Sequence, residues 1–232
     1  GKRILILAAA VTSILVAICL SVGDTAKVSG EVRGTPYYEG EKGHKAVSFA
    51  MNVDWGTEYL PDILSVLKEE GVTMTFNLTG RWCSENPEIA KAIYQSGMEI
   101  GNHGLKHKSP SAMTYEENKA DIEEAEAIIN QVLGIKTMLF APASGEIEAQ
   151  VLNAAADLGY KTILWSVDTI DWQKPTPELI TERVVGKAKD GSIVLMHPTE
   201  NTLAALPGMI QALRDKELSV VPVSQIIDKK IE

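Results

Sequence analysis

The stretch ADLGYKTILWSV, Ala156–Val167, decides the fold. A helical pattern runs into Gly159, a residue able to take the left-handed conformation that ends a helix, and an apolar run follows at once. A short continuous apolar run after such a cap reads as a strand buried on both faces. The same grammar recurs in KEEGVTMTFNL from Lys68, YQSGMEIGN from Tyr94, QVLGIKTMLFA from Gln131 and AKDGSIVLMH from Ala188. Helix starts are signalled by Asn86-Pro87, by the box Thr114 to Glu117 and by Thr176-Pro177. Strands alternating with helices predict a parallel α/β sheet from Lys45 onward, open or closed into a barrel. In either form functional groups gather where a strand ends and the next loop begins.

The chain has 232 residues, enough for one sizeable domain, and its 45% hydrophobic and 23% charged content is that of a globular protein. With 22 Lys and Arg against 31 Asp and Glu, the net charge of -9 argues against nucleic acid, whose phosphates need a basic patch. It argues equally against adhesion to anionic lipid. A neutral or cationic substrate fits better. Two cysteines, Cys19 and Cys83, suggest no disulfide framework. There is no internal sequence repeat and no low-complexity tract.

Residues 1–23 read as a separate piece. Lys2 and Arg3 precede the uncharged run Ile4 to Leu20, the pattern of an export signal, cleaved or kept as a membrane anchor. The protein is therefore expected outside the cytoplasmic membrane, secreted or anchored. Residues 24–44 are polar with scattered Gly and read as a linker.

The histidines test the strand-end rule. His103 and His107 follow the short strand MEIGN, His197 ends SIVLM, and only His44 lies elsewhere. Two imidazoles four apart, just past a strand, can converge on one metal ion. A lone His reads more simply as a satisfied polar residue; a pair with a third on another strand end favours a metal site. The segment WSVDTIDW offers Asp168 and Asp171 on the same rim. A carboxylate beside His197 would fix its tautomer and make it a proton donor, unless these Asp residues merely cap the helix near Pro177. Of the four Trp residues, Trp55 and Trp172 stand at loop starts and are candidates to line a sugar groove. Trp82 and Trp165 read as core.

In order and content these segments resemble the polysaccharide deacetylase (NodB homology) family of carbohydrate esterases, and the likeness spans essentially Lys45 to the end. The resemblance implies a distorted parallel (β/α) barrel of about seven strands. It also implies hydrolysis of acetyl groups on chitin-like or peptidoglycan sugars with a divalent metal, zinc first, cobalt or nickel as alternatives. HGLKH matches the metal-binding pair, His103 and His107. DTIDW matches the motif whose Asp, here Asp171, supports the acid, and LMH the motif whose His, here His197, is the general acid. FAPASG and AMNVDWG match the two remaining motifs, with departures.

In the family AMNVDWG carries two adjacent Asp residues, a base and then a metal ligand. Asn52 and Val53 stand in those places. Ala141 stands where an Arg orients the base, Ser144 where a Tyr is usual, and Gly104 where the His motif has Ser. NVDWGTEY and DTIDWQKP together resemble a subgroup of deacetylase-like proteins of endospore-forming bacteria. An amide cannot take the proton that a base must take. Asp54 is the one carboxylate near that strand end, and alternation puts it on the face of Asn52, as third metal ligand or displaced base. Ser144, Trp55 and Trp172 are the expected substrate contacts. The expectation is an N-deacetylase of cell-wall or chitin-like glycan, monomeric, with catalysis weakened or altered. The alternative is a non-catalytic, metal-containing glycan-binding protein.

Overall fold

The computed structural model describes residues 31–228, so the expected export signal and the first part of the linker lie outside the described residues. Seven parallel strands are β1 (Ala46–Val53), β2 (Thr75–Leu78), β3 (Glu99–Asn102), β4 (Leu139–Phe140), β5 (Lys161–Thr162), β6 (Val167–Asp168) and β7 (Ile193–Met196). They lie in the order β5-β4-β3-β2-β1-β7-β6. A short strand, β8 (Ser219–Val220), pairs with the start of β1. The parallel barrel-like α/β architecture read from the sequence is the one observed.

The opening stretch is where the structure differs in detail. Lys161 to Val167 reads as one buried strand, but it is divided into β5 and β6, which lie on opposite edges of the sheet. Residues 163–166 carry the chain from one edge to the other, with Ser166 N–H donating to Ile193 O on β7. Tyr37 pairs with Ile163 on the β5 side, and Glu39 with Ser192 on the β7 side. Gly40 N–H also donates to Gly191 O. Residues 37–40, read as linker, are thus hydrogen-bonded into the domain, at the end of β5 and at the start of β7.

Helices cover the sheet because each presents an apolar stripe. In α1 (Leu60–Glu69), Leu60, Ile63 and Leu67 are fully buried at i, i+3 and i+7, each worth about 1.5–3 kcal/mol of transfer free energy. The other helices are α2 (Gly80–Glu85), α3 (Pro87–Gln95), α4 (Tyr115–Leu133), α5 (Ala149–Asp157), α6 (Pro177–Lys187), α7 (Glu200–Asp215) and α8 (Ser224–Ile227). The predicted starts hold. Thr114 and Glu117 form a capping box on α4, Thr176 caps α6, and α3 begins at Pro87. The five glycines of the recurring grammar all take positive φ, from 62° at Gly71 to 87° at Gly191.

β1 fixes the two sides of the sheet. Its odd residues, Val47, Phe49, Met51 and Val53, join the core beneath the helices. Its even residues, Ala46, Ser48, Ala50 and Asn52, fall on the opposite face by alternation. There Ala46 and Ala50 pack with Ala141, Ile193 and Ile226 in the barrel interior. The last even residue before the cleft is Asn52.

Candidate active site

The firmest part of the site stands at the end of β7. His197 N–H donates to Asp171 Oδ2 at 2.6 Å, and His197 Nδ1 lies 2.8 Å from Asp171 Oδ1. Thr202, in the first turn of α7, donates its hydroxyl to Asp171 Oδ2 at 2.7 Å. Asp171 is fully buried, so an acceptor with three donors compensates its desolvation. It does not cap α6. The carboxylate selects the Nδ1–H tautomer and leaves Nε2 as the nitrogen that can exchange a proton. Trp55 stacks on the imidazole with ring centroids 5.8 Å apart and planes within 10°. Asp168 acts on the backbone instead. Its Oδ1 accepts from Ile170 N–H at 2.8 Å, shaping the turn into Asp171.

The His pair follows β3. His103 is buried, its Nδ1 2.6 Å from the Ala141 carbonyl oxygen, and burial pushes its pKa down to about 4. It is neutral near pH 7, with the Nε2 lone pair free as a ligand. The His107 ring meets it edge to face at 5.0 Å. Asn102 Oδ1 accepts from Gly104 N–H and holds the turn between them. Gly104 has φ 76°, and a Cβ there would lie 2.6 Å from Asp121 Oδ2. The glycine in place of Ser is therefore demanded by backbone and space.

The base half is different. Asn52 Oδ1 accepts from Asn77 Nδ2 at 2.9 Å, so an amide pair occupies the expected place of the base. Val53 is fully buried among helix-facing side chains, and Ala141 lies in the interior core. Asp54 is not free either. Its Oδ1 accepts from Thr79 Oγ1 and from Arg81 Nη2, both at 2.7 Å, and its carbonyl oxygen takes a further bond from Arg81. Sequence reasoning missed Arg81. It sits in the first turn of α2, and no motif marked it.

The imidazole pair suits a divalent ion by donor chemistry, tautomer and proximity. A third His, Cys, Asp or Glu does not join it: among the described residues no three such groups are placed to hold a metal ion. Asp54, expected as that third ligand or as a displaced base, has its Oδ1 held by Arg81 and Thr79. Val53, which the family resemblance sets at the third ligand position, offers no donor atom.

The sequence-predicted residues converge on one cleft of about 430 Å³. Asn52, Asp54, Trp55 and His197 line one part of it, and His103, His107, Ser144 and Trp172 line it as well. Asp171 stands behind His197. Trp165, read as core, also lines the cleft and packs over Gly145, where a Cβ would meet its ring at 2.6 Å.

Residues 39–163 match the family model described as polysaccharide deacetylase. A peptidoglycan-N-acetylglucosamine deacetylase from Bacillus cereus is 32% identical over 208 residues, 86% of this chain and 97% of that protein. The chain belongs to the polysaccharide deacetylase family. The Bacillus subtilis protein YlxY is 38% identical over 84% of this chain, which spans only 61% of YlxY. Among solved structures, a CE4 family pseudoenzyme from Bacillus anthracis superposes with a TM-score of 0.82 at 39% identity, covering 84% of this chain and 69% of that one. A mutant of that pseudoenzyme is described as having restored enzymatic activity. Deacetylases of this family are in general metal-dependent.

Proposed function

We propose that the cleft binds an N-acetylated glycan of the peptidoglycan or chitin type and that it hydrolyses the acetamide weakly. One observation carries this reading: an intact His197–Asp171 acid pair faces an Asn52–Asn77 amide pair where a base is needed. A divalent ion on His103 and His107, zinc first, would supply polarisation of the acetamide carbonyl and acidification of water. The chain's own residues do the rest. Trp55 and Trp172 offer faces to a sugar ring, and His197 Nε2 delivers a proton to the departing amine nitrogen. Asp171 keeps that imidazole oriented. Asn52 can hydrogen-bond a water or a substrate oxygen but cannot remove a proton.

The apolar run behind Lys2 and Arg3 supports an extracytoplasmic location, secreted or anchored, where such a glycan is found. The alternative, binding without turnover, is favoured by the missing third metal ligand and by the likeness to the Bacillus anthracis pseudoenzyme. The test is calorimetric binding of N-acetylglucosamine oligomers, with acetate release from the same oligomers and from peptidoglycan in the presence of zinc. Binding with slow release that His197→Ala lowers further is the expected result. Absence of glycan binding overturns the reading, and release unaffected by His197→Ala overturns its catalytic half.

A further inference from the structure

A second cavity, of about 290 Å³, adjoins the cleft and shares Trp55 and Trp172 with it. Both indoles are exposed large hydrophobic side chains, at 46% and 57%. Soluble surfaces seldom leave paired indoles so open without use. Glu58 and Glu200 line the same cavity, with Lys174 as its one cation among the described residues. Among those residues, neither glutamate has an ion pair or hydrogen bond to another side chain, whereas nine ion pairs occupy other charged groups.

We infer that this cavity is a neighbouring-sugar subsite that prefers a hexosamine with a free, protonated amine over its N-acetylated form. The inference rests on the glycan reading of the main cleft and adds what stands beside the acetamide sugar. Indole faces stack on the apolar face of a pyranose, and they also attract an ammonium group. Three carboxylates line the cavity against one lysine; Asp171 is committed to His197 and Thr202, and Glu58 and Glu200 are left to face a ligand, so the cavity is net negative. That charge favours an ammonium, and an acetamide gains nothing from it. Because both indoles border both cavities, one glycan chain can lie across them, with its acetamide in the main cleft and the next sugar here. A sugar with a free amine is what removal of an N-acetyl group leaves. The subsite would therefore favour glycan that has already lost an acetyl group one sugar along.

The test compares two chitotetraose probes by calorimetry at pH 6 on the full chain: the fully N-acetylated form and one carrying a single free amine. The expected result is about tenfold tighter binding of the amine form, fading as salt is raised. The Glu58→Gln, Glu200→Gln double variant should lose the preference while still binding the fully acetylated probe. Both residues are exposed, so the variant should fold. Lys174→Ala should enlarge the preference. Equal binding of the two probes, or a preference that survives in the double variant, overturns the subsite but leaves the main cleft standing. Failure of both probes to bind overturns both readings.

Discussion

Replacing Asn52 by Asp should raise deacetylation, and the structure sets how far. The exchange adds no bulk, and Asn77 Nδ2, 2.9 Å from Asn52 Oδ1, remains as a donor. The residue is 7% exposed, so the introduced carboxylate is largely withdrawn from water, with one amide donor to offset that. Burial should therefore lift its pKa above the ordinary value of about 3.9. An Arg at position 141 whose guanidinium comes within about 4 Å would contribute about 4 kcal/mol at an effective dielectric of about 20, or about three pKa units downward. A working general base is worth ~10²–10⁴-fold in rate. Acetate release from N-acetylglucosamine oligomers, followed against pH, should rise in Asn52→Asp. Adding Ala141→Arg should raise it again and move the acidic limb of the profile to lower pH, by up to about three units. The reasoning fails if both variants fold and bind glycan yet turn over no faster than the native chain. It fails also if the native chain already matches them while Asp54→Asn abolishes turnover, because Asp54 is then the base.

Three further outcomes follow from buried groups. Burial lowers the His103 pKa from 6.5 to about 4, so the folded metal-free protein resists a proton that the unfolded chain accepts. Above pH 6.5 the two states are alike; between pH 6.5 and 4 stability should fall by about 3 kcal/mol on this account, and His103→Gln should flatten that slope in urea titrations. Cys83 is fully buried and its thiol is pushed up to about 11, so peptide mapping should find it unmodified by a thiol reagent at about pH 8 until the protein is unfolded. Asp171→Ala leaves three donors without their acceptor and should cost about 3 kcal/mol or more, measured as a lowered denaturation midpoint.

What could be read in the sequence depended on the range of the interaction that decides it. Helix caps are decided within a few residues, and the Thr114–Glu117 box and Gly134 behave as their local chemistry dictates. The His197–Asp171 pair was legible because both residues follow strands of a parallel sheet, whose ends must meet on one rim. The run Lys161 to Val167 misled for the opposite reason. A continuous apolar run looks the same whether it pairs along its whole length or only at its two ends, and the partners that divide it, β4 and β7, are distant in sequence. Asp54 shows the same limit within the site. Strand alternation rightly put it on the cleft face of Asn52, but its role turns on Arg81, 27 positions later, which no spacing announces. A carboxylate oxygen already shared by a guanidinium and a hydroxyl is a poorer metal ligand than a free one, since both donors occupy its lone pairs. On the proposed reading the one carboxylate left near the strand end, held by Arg81 and Thr79, does not stand in for the base, and raising turnover calls for a new carboxylate at position 52 more than for a redirected Asp54.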